Sequence, residues 1–83
     1  MNVQLELFPS KLRLTRIDPE QNMRRFYCLA LQPDLFGGCT LIREWGRIGR
    51  GGQVLRQEFE NEGNAVDALI EMQGRKVKRG YLR

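Results

Sequence analysis

Leu41-Ile42-Arg43-Glu44-Trp45-Gly46-Arg47-Ile48-Gly49-Arg50-Gly51-Gly52-Gln53-Val54-Leu55 reads as strand, glycine turn, strand. Successive side chains of an extended chain point to opposite faces. Arg43, Trp45 and Arg47 therefore share one face, and Ile42, Glu44, Gly46 and Ile48 share the other. The strand runs over 39–48, and Gly49-Arg50-Gly51-Gly52 closes it as a hairpin, glycine supplying positive φ angles. The loop has neither the spacing nor the lysine of a nucleotide-binding P-loop. A following strand over 53–60 sets Leu55, Gln57 and Phe59 against Val54, Arg56 and Glu58.

On the N-terminal side, residues 24–32 form an apolar and aromatic strand carrying Phe26, Tyr27, Leu29 and Leu31. Pro33-Asp34-Leu35-Phe36-Gly37-Gly38 follows as a six-residue loop, whose Leu35 and Phe36 are expected to fold back onto the body. Pairing Gln32 with Cys39 sets Tyr27 opposite Glu44 and Phe26 opposite Trp45. The expected core side then holds Tyr27, Leu29, Leu31, Ile42 and Ile48, and the opposite side holds Arg24, Phe26, Cys28, Arg43, Trp45 and Arg47. A slip of one residue would exchange the faces of one strand. Upstream, a strand over 11–17 with Leu12 and Leu14 on one face precedes the turn chemistry of Asp18-Pro19-Glu20-Gln21-Asn22. Residues 1–10 read as an N-terminal arm or edge strand, because Val3, Leu5 and Leu7 alternate before Pro9-Ser10.

On the C-terminal side, Asn61 or Asn64 caps a helix over 64–77. Ala65, Ala68, Leu69 and Met72 make its apolar stripe, widened by Val66 and Ile70, while Gly74 weakens it. The basic tail carries Tyr81 as an anchor. The fold class is thus α+β: a small antiparallel sheet of four or five strands with one helix packed on one face. With 83 residues the chain supports one core, a single domain over 11–83.

Charge is distributed locally. There are 14 Lys and Arg against 10 Asp and Glu, giving +4. Residues 41–60 hold a surplus of one base, whereas the last ten carry Arg75, Lys76, Lys78, Arg79 and Arg83 with no acid. Arginine predominates, the residue suited to bidentate phosphate contact, so a basic patch is expected. No histidine is present, Ser10 is the only serine, and the acids are scattered, so no enzyme, metal or cofactor is expected. Cys28 and Cys39 make no metal spacing and lie about 13 Å out of register, beyond disulfide reach. No apolar stretch is long enough for a membrane span, and no signal peptide is legible, so a cytoplasmic location is expected.

Trp45-Gly46-Arg47, within Arg43-Glu44-Trp45-Gly46-Arg47-Ile48-Gly49, resembles the signature of the WGR domain family. So do Leu14-Thr15-Arg16-Ile17-Asp18-Pro19, Asn22-Met23-Arg24-Arg25-Phe26-Tyr27, Gln32-Pro33-Asp34-Leu35-Phe36-Gly37 and Lys78-Arg79-Gly80-Tyr81, which are similar to short stand-alone bacterial members. The resemblance covers about residues 12–82. It implies an antiparallel sheet with a single helix. In poly(ADP-ribose) polymerases this module contacts DNA near strand breaks and docks against neighbouring domains. Its tryptophan packs against the sugar-phosphate end and its arginine holds the backbone, roles that fall by resemblance on Trp45 and Arg47. The glycine position falls on Gly46, needed either for ligand approach or for close packing beneath the helix. The allosteric part of the polymerase role is not expected to carry over, since no catalytic domain is legible in these 83 residues. Bacterial regulators of molybdate metabolism contain similar modules, and a shared module does not transfer that role.

The expected function is nucleic-acid binding, at DNA ends or nicks, with RNA as an alternative ligand. The expected contact residues are Arg43, Trp45, Gly46, Arg47 and Arg50, supported by Lys76, Lys78 and Arg79. The alternative is a protein-interaction module docking a separately encoded enzyme or regulator, since a Trp–Arg pair also suits an interface hot spot. Neither a membrane nor a small-molecule substrate is expected. Glu44 is either half of a buried polar pair with Tyr27 or a sheet-edge acid.

Overall fold

Period-two alternation and β-compatible residues build four strands, and in the computed structural model, which describes residues 11–83, they pair only with their sequence neighbours. The arm or edge strand read over residues 1–10 lies outside the described residues. Strands β1 (Lys11–Asp18), β2 (Met23–Pro33), β3 (Cys39–Arg47) and β4 (Gln53–Phe59) form one antiparallel meander in the order 1-2-3-4. Helix α1 (Glu62–Lys78) crosses back over one face. The α+β class is as read from the sequence.

A single 3-10 turn, Pro19–Gln21, joins β1 to β2. The Asp18 carboxylate accepts from the Glu20 amide at 3.1 Å and from Gln21 Nε2 at 2.9 Å. Asn22 closes the turn at φ 52°, a left-handed conformation that asparagine tolerates better than most residues.

The β2–β3 register differs from the expected one by a single residue. Pro33 pairs with Cys39, so Tyr27 lies opposite Trp45 and Phe26 opposite Gly46. Leu41 and Trp45 thereby join Leu12, Leu14, Tyr27 and Leu29 beneath the helix, while Ile42 and Glu44 turn to the open face. Glu44 is opposite Cys28 and Val54, not Tyr27. The expected alignment would have exposed Leu41 and Trp45 to bury Ile42 and Ile48. The observed one buries Leu41 completely and lets the Phe26 ring settle over a glycine. Apolar area removed from water decides between them.

The cysteines are free, as expected. They lie on opposite faces of the sheet, Cys28 half-buried and Cys39 buried, five residues apart in register.

The helix begins earlier than expected and runs through Gly74. Asn61 is its N-cap, accepting from the Asn64 amide at 2.8 Å. Ala65 and Leu69 are buried, with Ala68 and Met72 packed against the same core, whereas Ile70 faces solvent. Its end is a Schellman closure: Gly80 at φ 96° donates to the Val77 carbonyl at 3.0 Å, and Tyr81 donates to Lys76 at 3.0 Å. That reversal drops Tyr81 into the core and lets Leu82 pair with Thr15 at the outer edge of β1, with bonds of 2.7 and 2.8 Å.

The β2–β3 loop corrects another expectation. Leu35 and Phe36 do not fold back; they are 97% and 94% exposed. In so small a domain this forgoes roughly 1.5–3 kcal/mol of burial for each side chain.

Candidate functional site

The new register aims the Arg43–Trp45–Arg47 row at the helix side of the sheet, toward the end where the helix stops. Trp45 is half-buried and stacks on Tyr27, its cross-strand partner, with ring centroids 5.8 Å apart and planes 16° from parallel. Tyr81 meets Tyr27 edge-on, with ring centroids 6.4 Å apart. These three rings floor an open cleft of about 510 Å³ between the β2–β3 strand ends and the helix C-terminus. Five cations line it: Arg16, Arg25, Arg47, Lys76 and Arg79. A contiguous hollow of about 300 Å³ adds Arg43 and Arg75. No carboxylate lines either one.

Three of the arginines form a row across the sheet, because Arg16 pairs with Arg25 and Arg25 pairs with Arg47. Like charges directly opposite on a sheet are destabilising. Arg47 is oriented by Asn22, donating to its backbone carbonyl at 3.1 Å and to its Oδ1 at 3.3 Å. The left-handed Asn22 thus fixes both the preceding turn and one guanidinium of the cleft. Arg43 reaches Met72 Sδ at 3.9 Å, and its Nε is buried without a partner among the described residues.

Lys76 stands over the Tyr27 ring at 4.4 Å and near Tyr81 at 5.6 Å, two cation–π contacts that favour its charged form. Burial opposes them. It pushes the ammonium below its ordinary value, and the neighbouring Arg79 and Arg43 push in the same direction. An anion in the cleft would relieve both of the repulsive neighbours.

Gly46 contributes only backbone to this cleft. The side chain it lacks would point the other way, 3.5 Å from Phe26 Cε1 and 3.0 Å from Gly52 Cα. Its close packing is therefore beneath Phe26 on the open face and not beneath the helix. Arg13 completes that arrangement, its guanidinium 5.0 Å from the Phe26 ring centre.

Of the residues expected from sequence, Arg43, Trp45, Gly46, Arg47, Lys76 and Arg79 are brought together. Arg50 sits exposed in the β3–β4 turn, and Lys78 projects from the helix outside both hollows. Arg16, Arg25, Tyr27, Arg75 and Tyr81 were not expected there. Arg75 is paired with Glu71 one helical turn away. The signal for Arg25 is its place opposite Arg47, and for Arg16 its place opposite Arg25; the first becomes visible only once Tyr27 is aligned with Trp45.

The WGR domain model matches residues 10–83, almost the whole chain. The chain belongs to the WGR domain family. A relative, the uncharacterized protein y4dW of Sinorhizobium fredii (strain NBRC 101917 / NGR234), is 42% identical over 73 residues, covering 88% of this chain and 36% of its own length. The chain thus spans about a third of that relative. No solved structure matches. Membership of the WGR family is consistent with a nucleic-acid-binding module in general, and with a module that binds rather than catalyses. Among the described residues no helix is long and apolar enough to cross a membrane.

Proposed function

We propose that the cleft of this WGR domain binds the sugar-phosphate backbone of DNA at ends or nicks. The observation that carries the reading is the cross-sheet row Arg16–Arg25–Arg47, joined by Lys76 and Arg79 above an aromatic floor. Such a row has no stabilising role in the free domain, and a polyanion neutralises it. Arginine forks suit phosphate oxygens. Trp45, with one face taken by Tyr27, offers its remaining surface to the sugar or base at an interrupted strand. Arg43 adds charge from the adjoining hollow, while Arg50 and Lys78 add only to the long-range field.

Neutralising three to five phosphates gives a slope of log affinity on log salt of roughly −3 to −4.5. Between 50 and 200 mM salt the affinity then falls by about 60- to 500-fold. The test titrates the protein with a short blunt duplex carrying 5′-phosphates, read by Trp45 fluorescence, against a hairpin-capped duplex of the same sequence. Salt-sensitive quenching by the open duplex and a much weaker response to the capped one support the reading. Equal responses refute end recognition while keeping backbone binding. No response to either refutes the nucleic-acid reading and leaves the docking of a separately encoded protein.

A further inference from the structure

At the opposite end of the sheet from the cleft, Asp34–Gly38 presents Leu35 and Phe36 side by side and almost wholly exposed. The loop is built to hold them there. Asp34 Oδ1 accepts from the Phe36 amide at 2.7 Å and the Gly38 amide at 2.9 Å, and the Asp34 amide donates to the Gly38 carbonyl at 2.9 Å. Gly37 adopts φ 90°. A side chain at Gly38 would lie 2.5 Å from the Asp34 carboxylate, so this position accepts only glycine without rearrangement. The tip is thus ordered before any partner arrives, which lowers the entropic cost of docking.

The surroundings indicate what kind of partner fits. Glu58 pairs with Thr40 just beside the loop, and Glu60 and Glu62 follow at the adjacent end of β4. Asp34 and Glu62 both press on the Cys39 thiol, whose burial and these two carboxylates raise its pKa. Lys11, opposite Ala30, and Arg56, opposite Ile42, are the bases nearest this end among the described residues, and they stand in one row three residues back from the Pro33–Cys39 pair, so the border itself is acidic. An apolar tip with an acidic border complements an apolar segment with basic flanks.

We propose that the Leu35–Phe36 loop is a protein-docking tip that packs against a short apolar segment flanked by Lys or Arg on a partner protein. The Pro33–Cys39 end of the β2–β3 ladder lies six residues from the Tyr27–Trp45 pair, about 20 Å at strand rise, so the tip and the cleft can be occupied together. The domain then links a polyanion at one end to a protein at the other.

The test pans the whole chain against a random peptide library displayed on phage. The expected winners combine apolar residues with Lys or Arg. They bind about tenfold or more weakly to Leu35→Ser/Phe36→Ser, and they still bind when the cleft is saturated with duplex DNA. Because both side chains are exposed, the double variant should melt where the parent does. Glu58→Lys/Glu60→Lys, which leaves the tip intact, should also weaken the same peptides. Three results overturn the proposal: no enriched peptides, equal binding to the double variant, or winners without basic residues. A concentration-dependent dimer abolished by Leu35→Ser/Phe36→Ser would also overturn it, since the occupant would then be a second copy of this chain.

Discussion

Gly52→Ala and Gly51→Ala differ by one position in the same turn and should differ by several degrees in melting temperature. A methyl group on Gly52 would sit 2.5 Å from the Trp45 carbonyl oxygen, 2.9 Å from Phe26 Cζ and 3.1 Å from the Trp45 carbonyl carbon. Neither neighbour moves easily. The Trp45 backbone belongs to the β3–β4 ladder opposite Gln53, and the Phe26 ring is confined by Arg13 above and Gly46 below. Relief requires the ladder to part by several tenths of an ångström, and overpacking of this kind costs about 1–3 kcal/mol. For a domain of this size each kcal/mol is about 4–8 °C in Tm, so Gly52→Ala should melt roughly 8–16 °C lower at the middle of that range. Gly51 has nothing within 4 Å of the added methyl and no positive φ, so its alanine variant should stay within about 0.5 kcal/mol of the parent. Thermal melts followed by Trp45 fluorescence, with far-ultraviolet circular dichroism as a second probe, give both values. If the two variants unfold together, the Phe26–Gly52–Trp45 packing is wrong, and with it the β2–β3 register.

Trp45→Ala removes a half-buried indole from the Tyr27 stack and should cost about 2 kcal/mol in thermal melts, while Trp45→Phe costs less. Binding loss in the alanine variant must therefore be read beside its stability. Gly80→Ala forces a left-handed alanine at the helix end and brings its methyl to 3.2 Å from Arg16 Nε, so about 1–2 kcal/mol should be lost in denaturant titration. Lys76 has a folded pKa below its unfolded one, so the unfolded chain holds its proton to higher pH. Its charge therefore penalises folding fully below the folded pKa, and the penalty fades as pH rises from there to the unfolded value. Lys76→Met should accordingly gain stability over the parent near pH 7, with the gap closing by about pH 10.4 in a pH series of melts.

Much of this architecture was legible locally. Alternation located all four strands to within one or two residues, because each carries its apolar residues at period two. Side-chain chemistry offers Asn61 or Asn64 as the helix cap, and the structure uses Asn61. Gly80 ends the helix inside what reads along the chain as a basic tail, and its left-handed φ is what buries Tyr81. The misplaced loop came from treating exposure of Leu35 and Phe36 as wasteful, when Asp34 holds them outward through two amides.

Which segments are extended, which is helical, that the domain is α+β and that its bases are mostly arginine can all be read along the chain. Each of these depends on intrinsic propensity, short-range periodicity or composition. That Pro33 meets Cys39, and through that one pairing that Trp45 stacks on Tyr27 beneath the helix, follows from the assembled sheet and helix. The same pairing decided that Arg16, Arg25 and Arg47, far apart along the chain, stand in one row. Alternation by itself is equally satisfied by either of two registers one residue apart. The choice falls to the total apolar surface that all four strands and the helix bury together, a quantity no single strand contains.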